Sequence, residues 1–411
     1  MVEGEMPLHK RSILASGAWL TAERATGYPI LFLGMQVAFA IFLALTGQGA
    51  LDLFGNPKGT DFASFWTASR FILEGDPAAV YDPVRHHAAE TRLFGADVGY
   101  FAWFYPPMAL LLIAPLGLLS YGLSLLLWLG ATLAGYVVAV RKFVSGAGTL
   151  VPMLGFPAVF INIGHGQNGL LSTAIVGAGL ALADRRPFAS GVLLGCLCYK
   201  PQLAPMLAIV VLARRDWRMA LGAAASVAVL AAAATLWFGT DIWSAFFSNL
   251  PLAQASVEDG LVGFEKMQSP FSATRLLGGG VGAAYGVQAA FTGTAAILLW
   301  RVWRTDAPLG LRAGATASAI LLGTPFLLDY DLVLLALPIA SLAAEGLRTR
   351  FLPYEKSMLA AAWVLPFVAR QVSIYVHISL APAIVSFLLV LIFTRVTRQW
   401  KDDVSRIPLI P

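Results

Sequence analysis

Long apolar segments alternate with short polar ones along most of the chain, and their lengths suit membrane-crossing helices. A bilayer core of about 30 Å needs about 20 apolar residues in a helix, and fewer where neighbouring helices shelter the segment. The pattern predicts an all-α polytopic membrane protein with one integral-membrane domain over residues 1–411. The thirteen candidate runs are 29–48, 106–119, 121–140, 151–163, 169–183, 188–199, 201–213, 219–238, 281–303, 311–328, 332–344, 356–369 and 377–394.

The positions of arginine and lysine predict which turns face the cytoplasm, because cytoplasmic loops carry an excess of these residues. We therefore expect a cytoplasmic N-terminus over 1–28 and a cytoplasmic tail over 395–411. Two ends on one side require an even number of crossings, so one run does not cross. Runs 106–119 and 151–163 are the candidates, and Arg141 with Lys142 favours the first. The basic turns contain Arg185 and Arg186, Arg214, Arg215 and Arg218, Arg301 and Arg304, Arg348 and Arg350, and Arg395, Arg398 and Lys401.

Two polar stretches, 51–100 and 239–280, are expected on the opposite, extracytoplasmic side. In the first, Phe62–Glu74 mixes aromatic and hydroxyl side chains at a spacing that resembles an interfacial helix on the membrane surface. Gly75-Asp76-Pro77 ends that helix, and Asp82-Pro83 begins a second one that extends to about Leu93.

Composition supports the membrane assignment and removes other classes. The chain is 58% hydrophobic and 12% charged, whereas soluble proteins are about 25% charged. The net charge of +5 could suggest a nucleic acid partner, but the basic residues lie in the short turns, so no nucleic acid partner is expected. Cys196 and Cys198 lie too close along one helix for an ordinary disulfide and are expected to be small core residues.

A lone carboxylate, Asp61, starts the predicted helix of the first outer stretch. One alternative is a helix cap, in which Thr60 or Asp61 accepts a hydrogen bond from a first-turn N–H. The other is a general base towards a sugar hydroxyl. A helix N-terminus also favours an ionised carboxylate, so the two roles are compatible.

Polar residues also interrupt the apolar sequence at 164–168, Gly-His-Gly-Gln-Asn. Such residues at membrane depth are tolerated where protein or a watery cavity surrounds them. The segment is either a simple interhelical turn or a sugar- or phosphate-binding turn that uses His165 and Gln167. Tyr105-Pro106-Pro107 marks an extended approach to the next run, with Tyr105 a candidate to face the same cavity.

Lys200 is the most unusual charge, since apolar runs flank it on both sides. Either it reaches the membrane interface with its long side chain or it has an anionic partner such as a lipid phosphate. The turn Asp329-Tyr330-Asp331 has three interpretations: a solvated turn, a sugar contact, or a metal site with few ligands. Arg275, in the late polar stretch, is a further phosphate candidate.

Together these features resemble glycosyltransferase family 87, membrane enzymes of the GT-C superfamily that use polyprenyl-phosphate sugars. The resemblance implies a GT-C fold of about twelve transmembrane helices with interfacial helices in the first outer loop. It also implies an active site facing the extracytoplasmic side of a bacterial cell membrane, with a catalytic aspartate that maps onto Asp61. The matching residues are Asp61 through Asp82, Tyr105-Pro106-Pro107 with Pro115–Leu119, Gly166–Asn168, Gly191–Pro201 and Thr324–Tyr330.

Characterised members of the family resemble mannosyl- or arabinofuranosyl-transferases that act on lipid-linked or cell-envelope glycans. By that resemblance the partners are a polyprenyl-phosphate-linked sugar donor, a glycolipid or envelope glycan acceptor, and membrane lipids. We expect an inverting transferase without a metal cofactor. Lys200, His165 and Arg275 are predicted to bind the donor phosphate, and Gln167, Asn168, Tyr105, Asp329 and Tyr330 the sugar or acceptor.

Two other function classes compete with a transferase. A transporter or flippase of a lipid-linked or small polar substrate predicts ionisable residues near mid-membrane and paired broken helices. The polar residues here gather instead towards one face, beside a long loop with helices. A non-catalytic scaffold would leave Lys200 and Asp61 without a role.

Overall fold

The computed structural model describes residues 12–95 and 98–405, with side chains as far as Arg398. The remaining residues of the predicted N-terminus, outer loop and tail lie outside this description. Within the described residues the chain forms nineteen α-helices and six 3-10 segments, with no β-strand. The α-helices are α1 (Ile13–Ser16), α2 (Ala22–Thr46), α3 (Phe62–Leu73), α4 (Pro83–Phe94), α5 (Met108–Ile113), α6 (Tyr121–Val140), α7 (Leu150–Leu154), α8 (Pro157–His165), α9 (Gly169–Leu182), α10 (Pro187–Gly195), α11 (Ala204–Arg214), α12 (Trp217–Phe238), α13 (Asp241–Glu258), α14 (Pro270–Leu276), α15 (Val281–Trp303), α16 (Leu309–Gly323), α17 (Ala336–Thr349), α18 (Glu355–Val376) and α19 (Ala381–Ser405). The 3-10 segments are Pro77–Tyr81, Ala114–Leu118, Ala147–Thr149, Cys196–Tyr199, Pro201–Leu203 and Asp329–Leu335.

Helix length and composition make the chain an all-α polytopic membrane protein. Seven described helical stretches are long and apolar enough to cross a membrane, and a pair bent by 54° provides an eighth if it counts as one span. Each apolar run predicted from the sequence overlaps one of these or one of the shorter apolar helices, so the expected helices are present. The figure of about twelve crossings stays a prediction. The seven are Ala22–Thr46, Tyr121–Val140, Trp217–Phe238, Val281–Trp303, Asp329–Thr349, Glu355–Val376 and Ala381–Arg398; the pair is Ala147–Leu154 with Pro157–His165; the shorter helices are Met108–Leu118, Gly169–Leu182, Pro187–Tyr199, Pro201–Arg214 and Leu309–Gly323.

Turns rich in arginine meet at one end of the helix bundle, which we call the basic end. Arg214 and Arg312 both form ion pairs with Asp184. Nearby, Arg395 of α19 forms a buried ion pair of 2.6 Å with Glu355 of α18. The packed helices α16 and α17 link the two clusters, because Arg312 lies in the first turn of α16 and Arg395 bonds to the chain that follows α17. Turns predicted to share a side are therefore neighbours.

The segment 106–119 begins and ends at the opposite end, which holds the first outer loop and is called the site end. Tyr81 of that loop donates a hydrogen bond to the carbonyl of Tyr105, and Trp66 donates one to the carbonyl of Leu119. Helix α6 consequently starts at the site end. The geometry agrees with the choice of this run as the one that does not cross.

Several helices are shorter than the hydrocarbon core is thick. Helices α9 and α16 have 14 and 15 residues, about 21–23 Å at the helical rise, against a hydrocarbon core of about 30 Å. Helix α10 runs beside α12, and Gly191 and Gly222 allow the two backbones to touch. The 3-10 segment Cys196–Tyr199 then leads from the end of α10 to Lys200. The turns before α9 and after α16 nevertheless contact the two outer stretches, through Gln167 with Asp61 and through Leu327 with Gln268.

The two outer stretches pack against each other at the site end. The stretch 239–280 contains the 18-residue helix α13, whose Asn249 donates a hydrogen bond of 3.0 Å to the carbonyl of Trp103. Helix α3 ends one residue before its predicted end, but nine of its twelve residues are buried. Other parts of the protein therefore cover most of α3, and its position relative to the membrane stays a prediction. Its hydroxyl-bearing residues pack inside the protein, which makes α3 a core element.

Helix α4 begins after its N-cap residue Asp82, as predicted. The helix contains a buried pair of ionisable side chains. The side chains of His86 and Glu90, one turn apart, are fully buried, and His86 Nε2 lies 3.6 Å from Glu90 Oε1. The other carboxyl oxygen of Glu90 accepts a hydrogen bond of 3.1 Å from the N–H of Phe101. Burial raises the pKa of Glu90 to about 8 and lowers the pKa of His86 to about 4. Both groups are therefore mostly neutral at pH 7.

Candidate functional site

Asp61 occupies the N-cap position of α3, but its carboxylate does not cap the helix. It accepts no hydrogen bond from a first-turn N–H, so the side-chain cap considered for it is not formed. Instead Oδ2 accepts a hydrogen bond of 2.9 Å from Nε2 of Gln167. The side chain is 29% exposed. The carboxylate is thus held from one side and open from the other.

Gly166 brings the turn after α8 directly against the start of α3. Its φ of 61° is left-handed, and a Cβ at this position would lie 2.5 Å from Cβ of Phe62. Any larger residue would therefore strain the backbone and push the two elements apart. The close approach places His165 and Gln167, on either side of the glycine, next to Asp61.

His165 forms the open side of the site together with Asp61. Its Nδ1 lies 3.9 Å from Oδ1 of Asp61 and 2.8 Å from Oγ1 of Thr60. The imidazole is 27% exposed, and its ring centre is 6.1 Å from that of Tyr330. An accessible imidazole and an accessible carboxylate therefore share one opening.

Gln167 is a buried connector between Asp61 and the residues behind it. Its Oε1 accepts hydrogen bonds from the hydroxyl of Tyr105 at 3.2 Å and from the N–H of Asn168 at 3.1 Å. Burial raises the pKa of Tyr105 well above its usual value, so the phenol stays protonated and can donate this bond. With its oxygen engaged twice, the amide must present its NH₂ group to Asp61.

Lys200 lies behind this connector and is almost fully buried. Its Nζ donates a hydrogen bond of 3.0 Å to Oδ1 of Asn168 and forms an ion pair with Asp331. The ammonium also lies 5.3 Å from the ring centre of Tyr330. Of the two alternatives for Lys200, an anionic partner is present, and it is a carboxylate of the protein. We call Asp61, Gln167, Asn168, Lys200 and Asp331 the site network.

Asp329 extends the site on the other side of Tyr330. Its Oδ1 accepts the N–H of Tyr330 at 2.9 Å, and its Oδ2 lies 3.7 Å from Nη1 of Arg370. The guanidinium of Arg370, on α18, is 32% exposed. The turn 329–331 is therefore packed into the site and is not a solvated turn, because all three of its residues are buried.

Two site residues were not anticipated from the sequence. Arg370 ends an apolar run, and its position as a lone arginine near the end of a long helix was the available signal. Asn162 is fully buried; it donates to the carbonyl of Tyr330 and accepts the N–H of Leu170 at 3.2 Å. It thereby ties the turn after α8 to the turn 329–331. Nothing in its local sequence indicates a partner so distant along the chain.

Arg275, predicted to bind phosphate, lies apart from the site network. Its guanidinium donates a hydrogen bond of 3.1 Å to the carbonyl of Gly279, in the turn after its own helix, and lies 5.0 Å from the ring centre of Phe264. Across residues 12–95 and 98–398, no hydrogen bond or ion pair connects Arg275 to the network. Its phosphate-binding role stays a prediction.

The two carboxylates of the turn 329–331 do not converge on one point. Asp331 pairs with Lys200 and Asp329 approaches Arg370. In the part of the chain that the structure describes, no group of three or more His, Cys, Asp or Glu side chains is placed to hold a metal ion. The metal interpretation of this turn therefore lacks a ligand set.

The arrangement as a whole suits a reaction that moves one proton and stabilises a departing anion. Asp61 can accept a proton from a hydroxyl group, and its orientation is set by Gln167. His165 and Arg370 are both partly exposed, and both can donate hydrogen bonds to an anion. The other charges of the site network neutralise one another behind these groups.

Comparisons with known proteins give one match. A family model described as "Glycosyltransferase family 87" matches residues 103–338, more than half of the chain. No curated protein and no solved structure matches. The matched range contains the turn after α8, Lys200 and the turn 329–331, while Asp61 and Arg370 lie outside it. On this match the chain belongs to glycosyltransferase family 87, and its class of activity is glycosyl transfer.

Proposed function

We propose that the protein transfers a sugar, mannose or a related one, from a polyprenyl-phosphate donor to a lipid-linked or cell-envelope glycan. The site end faces the extracytoplasmic side of a bacterial cell membrane in this proposal, and the basic end faces the cytoplasm. The observation that carries it is the partly exposed carboxylate of Asp61, held at 2.9 Å by the buried amide of Gln167.

Asp61 acts as the general base. A hydroxyl oxygen of the acceptor attacks the anomeric carbon of the donor sugar while the hydroxyl proton passes to Asp61. The bond between the anomeric carbon and the phosphate oxygen breaks, and the phosphate leaves with the electron pair. A single displacement of this kind inverts the anomeric centre, and it needs neither a carboxylate nucleophile nor a metal cofactor.

The departing phosphate is stabilised by His165 and Arg370, which can both donate hydrogen bonds to it. Arg370 is held only loosely, since its Nη1 lies 3.7 Å from Oδ2 of Asp329. A phosphate at hydrogen-bond distance is a stronger partner for the guanidinium than this distant carboxylate. Lys200 was predicted to share this task. Because Asp331 already neutralises its ammonium, we propose that Lys200 acts mainly by positioning Asn168 and the turn that holds Gln167.

The sugar and the acceptor are bound by the polar side chains around the opening. Tyr105, Gln167, Asn168, Tyr330 and Asp329 come from three separate parts of the chain and lie next to Asp61 and His165 or directly behind them. Hydroxyl-rich ligands suit such a mixture of donors and acceptors. The apolar helices on either side offer a path for the lipid tail.

The direct test is sugar transfer by the Asp61→Asn variant. Membranes that contain the wild type or the variant are given polyprenyl-phosphate mannose, and in parallel polyprenyl-phosphate arabinofuranose, each labelled in the sugar. We expect the variant to lose transfer by at least about 100-fold while it still binds the donor, because only the proton acceptor is removed. Near-normal transfer by the variant would overturn the assignment of the base.

Asp76→Asn is the matched control for this experiment. Asp76 is a carboxylate of the same loop, exposed and paired with Arg85, so its loss should leave transfer unchanged. Comparison of glycolipids from a deletion strain and its parent would then identify the acceptor. If neither donor supports transfer by the wild type while the deletion strain lacks a glycolipid, the donor assignment fails and the transferase assignment stands.

A further inference from the structure

A cavity of about 180 Å³ lies between α3 and α4, in the first outer loop. Its floor consists of the buried residues Thr67, Phe71 and Ala89, and its rim of charged residues and one leucine. It is separate from the site network, because Arg70 on the rim lies nine residues beyond Asp61 on the same helix. At 1.5 Å per residue this is about 13 Å.

Two arginines at the rim make the cavity suitable for an anion. The side chain of Arg70 is 41% exposed and is held by a hydrogen bond of 3.2 Å from Nη1 to the carbonyl of Gly117. Arg92, on α4, is exposed and donates only to a carbonyl of its own helix, at 3.3 Å. Both guanidinium groups therefore retain free N–H donors, which suit the oxygens of a phosphate.

The floor provides a second indication of a ligand. Thr67 is fully buried, and its Oγ1 has no hydrogen-bond partner. A buried hydroxyl without a partner costs about 1–3 kcal/mol. A bound oxyanion at the floor of the cavity would supply the missing partner.

Exposed apolar residues beside the cavity indicate the environment in which it opens. Leu73 and Leu118 are both exposed, and Leu93 on the rim is exposed as well. Leucines next to arginines are typical of a surface at the level of lipid headgroups, where apolar side chains enter the acyl region and basic ones meet phosphates.

We propose that this cavity between α3 and α4 binds a phosphate monoester or diester through Arg70, Arg92 and the hydroxyl of Thr67. The phosphate is either the headgroup of a membrane lipid or a water-accessible group carried by another molecule. Glu74, whose carboxylate lies 3.9 Å from Arg70, opposes an incoming anion and so weakens the binding. This binding does not depend on the role of Asp61.

Binding is measured directly on the purified, full-length protein. In the first arm, micelles contain equal amounts of phosphatidylglycerol and phosphatidylcholine, and native mass spectrometry counts the lipid that stays bound. In the second arm, inorganic phosphate is titrated by calorimetry. Specific retention of phosphatidylglycerol identifies a lipid headgroup as the source, and binding of inorganic phosphate without such retention identifies a water-accessible phosphate.

Four variants separate this proposal from a merely structural cavity. We expect Arg92→Gln to weaken phosphate binding by about tenfold or more, since a hydrogen bond to a charged group is lost. Thr67→Val should weaken binding without lowering the melting temperature, and Glu74→Gln should strengthen binding by removing the opposing charge. Arg85→Gln, two turns earlier on α4 and already paired with Asp76, should change nothing. The proposal is overturned if the wild type binds neither probe, or if Arg92→Gln binds as tightly as the wild type.

Discussion

The side-chain amide of Gln167 donates a hydrogen bond of 2.9 Å to the carboxylate of Asp61, although 106 positions separate the two residues. The carboxylate lies at the start of a loop helix and the amide in a turn at the end of a membrane helix. This bond is one of the contacts that connect the outer loop to the interior of the bundle. It also decides which oxygen of Asp61 remains available to a substrate.

Loss of the Gln167 amide should therefore slow transfer without loss of the base. We expect Gln167→Ala to lower kcat by about 10- to 100-fold, because a misplaced catalytic group is costly even when it is present. The donor KM should change less, since the groups proposed for the phosphate are unaltered. Steady-state kinetics of the purified variant measure both constants.

Gln254→Ala is the control for Gln167→Ala, because Gln254 is exposed and donates its side-chain hydrogen bond to Glu258, one turn later on the same helix. Gln167→Glu provides a stricter comparison. It places a second carboxylate beside Asp61, and the repulsion should reduce transfer at least as much as alanine does. A Gln167→Ala enzyme with unchanged kcat would show that Asp61 does not need this partner.

The ion pair between Lys200 and Asp331 predicts a stability effect with an unusual pattern. Lys200→Met leaves a buried carboxylate without its partner, which typically costs about 3–5 kcal/mol. We expect a large fall in melting temperature in detergent. The double variant Lys200→Met with Asp331→Asn carries no buried charge at this position, so it should melt at a higher temperature than the single variant.

The same measurement distinguishes the two roles considered for Lys200. If Lys200 served only the donor phosphate, Lys200→Met would melt like the wild type and bind polyprenyl phosphate weakly. If it positions Asn168, both single and double variants should lose kcat, because the turn that holds Gln167 is no longer supported. An unchanged melting temperature for Lys200→Met would contradict the structural role.

Local patterns identified the helices and most of the site, and long-range packing determined the rest. The apolar runs, the helix from Asp82 and the polar turn after α8 each have a signature within about a dozen residues. The partner of Lys200 does not, because Asp331 lies 131 positions away and only the packing of several helices brings them together. The same holds for Asn162 and Arg370.

The burial of α3 was missed for a related reason. Aromatic and hydroxyl residues at helical spacing fit both a membrane-surface helix and a helix enclosed by other parts of the chain. The choice between them depends on what covers the helix, and here α4, α5 and the 3-10 segments Pro77–Tyr81 and Ala114–Leu118 pack against α3. A single sequence does not reveal those contacts.

Arg370 is expected to affect the donor more than the acceptor. In Arg370→Gln the guanidinium that faces Asp329 is lost, so binding of polyprenyl phosphate should weaken by about tenfold or more, as for other charge-assisted hydrogen bonds. Titration of the purified protein with polyprenyl phosphate measures this directly. Arg348→Gln, at the basic end and paired with Glu345, should bind like the wild type; equal affinities of both variants would exclude Arg370 from the phosphate site.

The buried pair in α4 predicts how stability depends on pH. The pKa of Glu90 is raised to about 8 in the folded protein, so the folded state holds a proton that the unfolded state releases near its ordinary pKa. Between these values stability falls as pH rises, by about 1.4 kcal/mol per pH unit. The pKa of His86 is lowered to about 4, so between about 4 and 6.5 the unfolded state binds the extra proton and stability rises with pH.

The contributions of Glu90 and His86 to stability change in opposite directions below about pH 6.5. Above that pH only the contribution of Glu90 still changes. The melting temperature of the wild type should therefore vary little between about pH 4.5 and 6.5 and fall between about pH 6.5 and 8. Glu90→Gln stays neutral at every pH, so its melting temperature should not fall above pH 6.5, and it should rise between about pH 4.5 and 6.5 because His86 still titrates. Scanning calorimetry of both proteins across this range tests the pattern. Parallel melting profiles of the wild type and the Glu90→Gln variant would show that Glu90 is ionised in the folded protein. Water would then have to reach this carboxylate in the interior of the first outer loop.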